Sequence, residues 1–377
     1  MKHFFTILLV FTLFVAILPG CGRGRGNNSG EVSVLPGDSP ETTDEQLALA
    51  TGPNGETAVR AKEVVLTEDQ IASIKTKGYT AAMLWAGSGE WYNAMSDGAS
   101  AMFKKLGIKV LINSDAQFDM AKQATDVETS LSLNPDIILT LVVDPVSGAR
   151  AFQPAVDAGV TLVLADNGVD GYTAGKQYCS VVTGDHFGMG RAAAELMNEA
   201  INGSGEIGFI FHDADFFVTN NRDNEFKRTI KSRYSGIKIV AEGGFTDEAG
   251  TEEIAAAMLT RNPGIKGIYV AWDVAAEGVI AALRAAGRED VKVITHDLGA
   301  TNDLDMAMDG NMYGKVADLP YDLGMCMAKI AALNLLGKKV PPFVVVPSVK
   351  MTKENIVEAW KVSLRKMPPE NILKTLK

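Results

Sequence analysis

The sequence predicts an α/β protein built on two parallel sheets, and three observations carry that prediction. Short apolar or β-branched runs alternate with segments of helical periodicity from Gly78 nearly to the end of the chain, the pattern of parallel strands joined by crossover helices. A chain of 377 residues, 46% of them hydrophobic, is long enough for about two domains. Ten of the runs read as strands, and ten strands suit two sheets of about five better than one sheet of ten.

The first ordered element is a helix over residues 68–77. Thr67 with Gln70 forms a capping box, Leu66 and Ile71 are placed as a hydrophobic staple, and Gly78 stops the helix. Strands are expected over 80–86, 109–113, 137–142, 161–165, 178–182, 206–211, 238–242, 267–271, 292–296 and 313–317. Helices with apolar residues at helical spacing are expected over 95–106, 120–133, 186–202, 219–235, 250–261, 274–286 and 322–336. The rhythm breaks once, over 166–176, where Gly, Asn, Asp and Thr replace a helix and the first sheet is expected to end soon after. A second block then runs from about Asp185 to Ala317. The last long helix and one further apolar run, 343–349, fit either sheet on periodicity alone.

Ahead of this body the composition differs. Lys2 is followed by an unbroken apolar run from Phe4 to Leu18, then Pro19, Gly20 and Cys21. A run of about fifteen residues is short for a membrane span and has the layout of an export signal, so residues 1–20 read as a signal peptide. The ending Leu-Pro-Gly-Cys resembles a bacterial lipobox, which implies acylation of Cys21 and attachment to the membrane through lipid. An uncleaved anchor helix is the alternative. Both place the remainder outside the cytoplasmic membrane, in a periplasmic space or at the cell surface. Residues 21–66 read as a flexible tether, because no aromatic residue occurs between Phe14 and Tyr79 and Gly, Ser, Pro, Asn and acidic residues dominate.

Composition excludes several functions. A formal charge of −10 argues against a protein that neutralises phosphates, so no nucleic-acid partner is expected. Three cysteines supply no disulfide or metal framework; beyond Cys21, Cys179 falls on a strand and Cys326 on a helix, as buried free thiols would. His3, His186, His212 and His296 show no metal-ligand spacing, and His212 with Asp213 and Asp215 reads as a strand-end loop. Gly87-Ser-Gly89 lacks the third glycine of a dinucleotide fingerprint, for Tyr92 stands there. No Gly-x-Ser-x-Gly elbow occurs. The reading is a binding protein without metal or cofactor, not an enzyme.

In open parallel sheets ligands bind beyond the carboxyl ends of the strands. Those exits carry Trp91 and Tyr92, Asp115, Asp144, Asp166 with Asn167, Asp213, Trp272 with Asp273, His296 with Asp297, and Asp318. Aspartate at such a place can instead cap a helix, and capping is the reading for Asp144 before Pro145 and for Asp273 before Val274. No helix follows Asp166, Thr301 and Asn302 are nearer caps for the helix after Asp297, and Leu319 and Pro320 separate Asp318 from the next helix. These three are read as ligand acceptors. Arg222 falls in the first turn of its expected helix, a position disfavoured for a cation; it is either a solvated surface arginine or a fork bridging a carboxylate and a ligand oxygen. Carboxylates, an arginine and flat rings suit a small neutral polyhydroxylated ligand, since carboxylates accept from neighbouring hydroxyls while a sugar's C–H face lies on a ring.

From Thr80 to about Val349 the chain resembles the type I periplasmic solute-binding proteins, in particular the ribose, galactose and xylose branch that serves ABC importers. The resemblance rests on Trp91-Tyr92 followed by Asp97-Gly98, on Leu162-Val-Leu-Ala-Asp166, on Arg222 ahead of Glu225-Phe226, on Val293-Ile-Thr-His-Asp297, and on Ala317-Asp-Leu-Pro320. It implies two Rossmann-like lobes, each a parallel sheet flanked by helices, joined by a three-crossing hinge near Gly184, Asp318 and Pro347. Residues 67–184 plus 319–347 would form the N-terminal lobe, and 185–318 plus 348–377 the C-terminal lobe. It further implies ring contacts from Trp91, Tyr92 and Phe245, polar contacts from Asp166, Asn167, Arg222, Trp272 and Asp297, Asp318 at the hinge, an ABC transporter permease as partner, and a monomer. Asn167 replaces an arginine of ribose-type members, Trp272 stands where an amide is common, and Gly89 where a polar contact is often made. These departures turn the expectation from ribose towards a hexose, a pentose in pyranose form or a cyclitol. The alternative is a nucleoside or sugar-like signal presented to a membrane receptor.

Overall fold

The computed structural model describes residues 42–214 and 216–377, so the expected signal peptide and Cys21 lie outside the described residues. The chain opens with α1 (Asp44–Leu49), β1 (Val59–Arg60) and α2 (Glu68–Lys75), then β2 (Thr80–Trp85), α3 (Glu90–Leu106), β3 (Lys109–Asp115), α4 (Met120–Ser132), β4 (Ile137–Thr140), α5 (Pro145–Asp157), β5 (Thr161–Ala165) and β6 (Ser180–Gly184). A second series follows: α6 (His186–Ala200), β7 (Gly205–His212), α7 (Phe217–Arg233), β8 (Ile237–Phe245), α8 (Thr251–Arg261), β9 (Ile265–Val270), α9 (Asp273–Ala285), β10 (Lys292–His296), α10 (Ala300–Ala307) and β11 (Met312–Ala317). The chain ends with α11 (Pro320–Leu335), β12 (Phe343–Val346), β13 (Val349–Thr352), α12 (Ile356–Leu364) and α13 (Glu370–Thr375).

These strands make two sheets, in the orders β1-β12-β6-β5-β4-β2-β3 and β13-β11-β10-β9-β7-β8. Every pairing is parallel except β11 with β13. The chain therefore passes between the sheets three times, after β6, after β11 and between β12 and β13, which gives two lobes joined by a three-stranded hinge. Strands β4, β5, β6 and β12 are buried along their whole length, as largely apolar and β-branched strands covered on both faces are. Apolar clusters fill both faces of the first sheet and both faces of the second. Against the first sheet, α3 and α11 cross at Gly98 and Gly324: a Cβ on either would lie 1.9 Å from a carbonyl oxygen of the other helix. The Asp-Gly in α3 is thus a close-approach site, not a turn.

Three expectations are corrected. The tether expected over 21–66 is structured from Thr42 onward: Thr43 and Gln46 form a capping box on α1, and Val59 and Arg60 extend the first sheet beside Val344 and Val345. Polar composition concealed this, because the segment is held by contacts to distant residues and not by its own apolar periodicity. The apolar run 343–349 is two strands in different sheets, since Pro347 lacks the amide a continuous ladder needs. The helix expected from Met95 starts at Glu90, behind Gly89 at φ 126°, a conformation that only glycine adopts readily.

Candidate functional site

The carboxyl ends of both sheets come together at the hinge, where Asp318 senses Asp166 of the first sheet and Asp297 of the second, and each lobe contributes a different set of groups to the cleft between them. In the first lobe the early start of α3 puts Trp91 and Tyr92 in its first turn. Their rings meet edge to face with centroids 4.9 Å apart, and Trp91 Nε1 donates to Asp318 Oδ2 at 2.8 Å across to the hinge. At the end of β5 the backbone turns left-handed at Asp166, φ 55°. Thr183 Oγ1 donates to Asp166 Oδ1 at 2.8 Å, and His186 Nε2 lies 3.4 Å from the same oxygen. Asn167 is 1% exposed, yet neither its amide oxygen nor its nitrogen has a partner among the described residues. Leaving a buried polar group unpaired costs about 1–3 kcal/mol, a cost that ligand hydroxyls would relieve.

In the second lobe Arg222 is 5% exposed, which removes the surface-arginine alternative. Because α7 begins at Phe217, Arg222 sits in its second turn and not its first. Its Nη1 donates to Asp297 Oδ2 at 3.0 Å, while Arg222 Nε and Asp297 Oδ1 are buried without partners among the described residues. Asp297, like Asp166, is left-handed, φ 64°; two non-glycine strand exits in this region mark strain of the kind found at binding sites. Phe245 closes β8 with its ring 4.7 Å from that of Trp272. Glu248 accepts from Trp272 Nε1, and His212 lies edge-on to the indole at 5.0 Å.

Electrostatics bind these pieces together. Burial pushes the Asp318 carboxyl well above the usual carboxylate range, and Asp297 and Asp166 push it further, against the hydrogen bond from Trp91 and the charge of Arg222. Burial opposes the Arg222 charge, but Asp297, Tyr269 and Asp318 outweigh it and hold the guanidinium above its ordinary value. Beneath Arg222, Tyr269 Oη donates to Asp223 Oδ1 at 2.7 Å and lies 3.0 Å from His296 Nε2. Burial raises the Asp223 carboxyl to about 6 and drives His296 well below its ordinary value, so the imidazole at this exit is neutral.

The capping expectations divide. Asp144 caps α5 by accepting from Ser147 N at 2.7 Å. Asp273 is not a cap: it is the first residue of α9, behind Trp272, and burial lifts its carboxyl to about 7, with Asp297 adding to the rise and Lys315 opposing it. Gly299, not Thr301 or Asn302, holds the cap position of α10, and Leu319 that of α11, neither with a side-chain bond. Asp297 and Asp318 therefore cap no helix, and none follows Asp166. Cys179 and Cys326 are buried free thiols. Sequence reasoning missed Thr183 and His186 as supports of Asp166, His212 as a ring beside Trp272, and Phe118, which covers Gly87 and meets Tyr92 edge-on at 6.4 Å. Each lies at a strand exit, the one signal that could have found them. A cavity of 540 Å³ adjoins these groups along α7, lined by Phe211, His212, Asp223 and Lys227; Lys227 is already paired with Glu242 at 2.6 Å, so the cleft, with its buried unpaired groups, is the stronger candidate.

The sequence pattern described as "Periplasmic binding protein domain" matches residues 81–339. The chain belongs to that family. The ribose import binding protein RbsB of Bacillus subtilis is 26% identical over 273 residues, 68% of this chain and 81% of that protein. A D-ribose/D-allose-binding protein of Pseudomonas aeruginosa is 27% identical over 216 residues, 55% of this chain and 67% of the relative. Among solved structures, a solute-binding protein of an ABC transporter from Agrobacterium vitis, with bound α-D-tagatopyranose, superposes with a TM-score of 0.68 at 20% identity, covering 78% of this chain and 100% of that one. One from Bacillus halodurans with bound myo-inositol gives 0.64 at 22% identity, over 74% and 96%. This periplasmic binding protein thus shares its two-lobed fold with sugar-binding solute-binding proteins of ABC transporters, and its curated relatives are sugar-binding transport proteins, not enzymes.

Proposed function

We propose that this protein captures a monosaccharide or cyclitol between its two lobes and delivers it to an ABC transporter permease, working as a monomer outside the cytoplasmic membrane and anchored by lipid at Cys21. One observation carries the ligand class: Asn167, Arg222 and Asp297 hold buried hydrogen-bonding atoms without partners among the described residues, beside the rings of Trp91, Tyr92, Phe245 and Trp272. Hydroxyls satisfy such atoms in pairs, and the apolar face of a pyranose or cyclitol covers the rings. An anionic ligand would meet Asp166 and Asp297 against one arginine already engaged. The relatives that bind ribose and allose and the neighbours that hold tagatose and myo-inositol fit this class, and Trp272 favours a six-membered ring over the furanose of ribose.

A thermal-shift screen of hexoses, pentoses, cyclitols and nucleosides against the mature chain tests the ligand class, because a ligand that binds only the folded state raises its melting temperature. A shift is expected with a pyranose or cyclitol; silence from every sugar and cyclitol would sink the proposal. For the anchor, Cys21→Ser should release the protein from membranes into the soluble fraction, and retention would point to an uncleaved helix.

A further inference from the structure

The segment that precedes α2 has a fixed place on both lobes. On the first lobe it adds β1 to the sheet edge, where Val59 pairs with Val344. There it also closes a small turn in which Asn54 Nδ2 donates to Tyr178 Oη at 3.2 Å and the Tyr178 hydroxyl donates to Glu56 at 3.2 Å. Pro53 lies on Gly168, where an added Cβ would stand 3.1 Å from the proline ring; Gly168 directly follows Asn167. On the second lobe Glu45 Oε1 meets Arg191 Nη1 of α6 at 2.9 Å and Arg233 Nη2 of α7 at 3.3 Å. Gln46 Nε2 sits over Gly188 of α6, 2.5 Å from where a Cβ would stand, beside Asp185. Leu47 joins the apolar cluster that also takes in Phe187 and Phe217 of the second lobe and Phe343 of the first.

We propose that residues 42–64 form an interlobe strap, and that Glu45 and Gln46 are positioning residues that hold the second lobe in the arrangement where Asn167 and Arg222 are buried together. The strap is fastened to one lobe by backbone pairing and to the other by an ion pair, so a rotation of the lobes keeps the first attachment and breaks the second. The Glu45 contacts therefore stabilise one lobe arrangement over others, and a ligand that requires this arrangement binds in proportion to its population. The inference rests on the cleft being the ligand site.

The test uses the mature chain with spin labels at Val146→Cys and Val274→Cys, both exposed and one on each lobe, in a Cys21→Ser background. Without ligand, Glu45→Ala should lengthen or broaden the label distance, and high salt should do the same to the parent. The affinity for whichever sugar shifts the melting temperature should fall about two- to fivefold, the range of a partly exposed ion pair. Glu45→Gln, which keeps the side chain's size and removes its charge, should reproduce both effects, which a simple packing defect would not. An unchanged distance distribution in Glu45→Ala, or a shorter distance with tighter binding, would overturn the strap. Since the distances are read without ligand, a normal response to Glu45→Ala with no sugar binding would count against the ligand class and not against the strap.

Discussion

The first lobe is an apolar platform, whereas the second is built around buried charge. Among the described residues of the first lobe Asp166 is the one buried charged side chain, while the second lobe buries Arg222, Asp223, Glu225, Asp303 and Lys315. The edges differ as well: β8, the outer strand of the second sheet, alternates partly buried and exposed positions along its length, while the interior strands β4, β5 and β6 of the first are buried throughout. Taking ions out of water is costly, and their pairing offsets the cost only when geometry is good. The first lobe can therefore present rings and one amide on a stiff base, while the second presents a guanidinium and a carboxylate whose positions depend on a network of partners. Single substitutions should accordingly be felt more severely in the second lobe.

The largest effect is expected at Lys315, whose Nζ lies 2.7 Å from Asp303 with both side chains fully buried. Trp360 Nε1 donates to the other Asp303 oxygen at 2.7 Å. Lys315→Ala strands Asp303 and should destabilise the protein by about 3–5 kcal/mol in chemical denaturation; a loss under 1 kcal/mol would erase the contrast between the lobes. Next comes the cleft. Asp297→Ala removes the partner of Arg222 and a proposed ligand acceptor, and should weaken sugar binding by at least about 2 kcal/mol, roughly thirtyfold, by titration calorimetry. Unchanged affinity would mean that the second lobe's charges do not touch the ligand. In the first lobe, Asp144→Ala removes the α5 cap and should cost only about 1 kcal/mol of stability with little change in affinity.

The smallest effect is a pH slope. Asp273 has a folded-state value of about 7 against an ordinary 3.8, so the folded state holds its proton more tightly than the unfolded state. Its contribution to stability is then fully present below about pH 4 and lost as pH rises through about 7. Asp273→Asn should flatten the fall in melting temperature between pH 5 and pH 8. An identical slope in parent and variant would show that solvent screens this half-buried carboxyl.

Much of this protein was legible in the residues. Strand exits were readable because strands of parallel sheets are short, apolar and bounded, so Asp166, Asn167, Asp297 and Asp318 could be named before any coordinates. The departures at Asn167 and Trp272 were visible too, though not their environment. What escaped was held by distant partners. The segment from Thr42 to Val64 looked like linker because its strand has two residues and its helix six, too few for periodicity to register. Asp273 looked like a cap because a cap and a buried carboxylate share one sequence position.

Local chemistry, then, set the element types, their order and the strand exits that carry the candidate site residues, since 3.6-residue and two-residue periodicities and capping signals act over a few neighbours. Three-dimensional packing alone settled which exits meet. The Trp91 to Asp318 bond joins residues 227 apart and the Arg222 to Asp297 pair residues 75 apart, and the split of 343–349 between two sheets depends on strands far away in the chain. Such contacts form only once distant segments have folded together, and no window of sequence contains them.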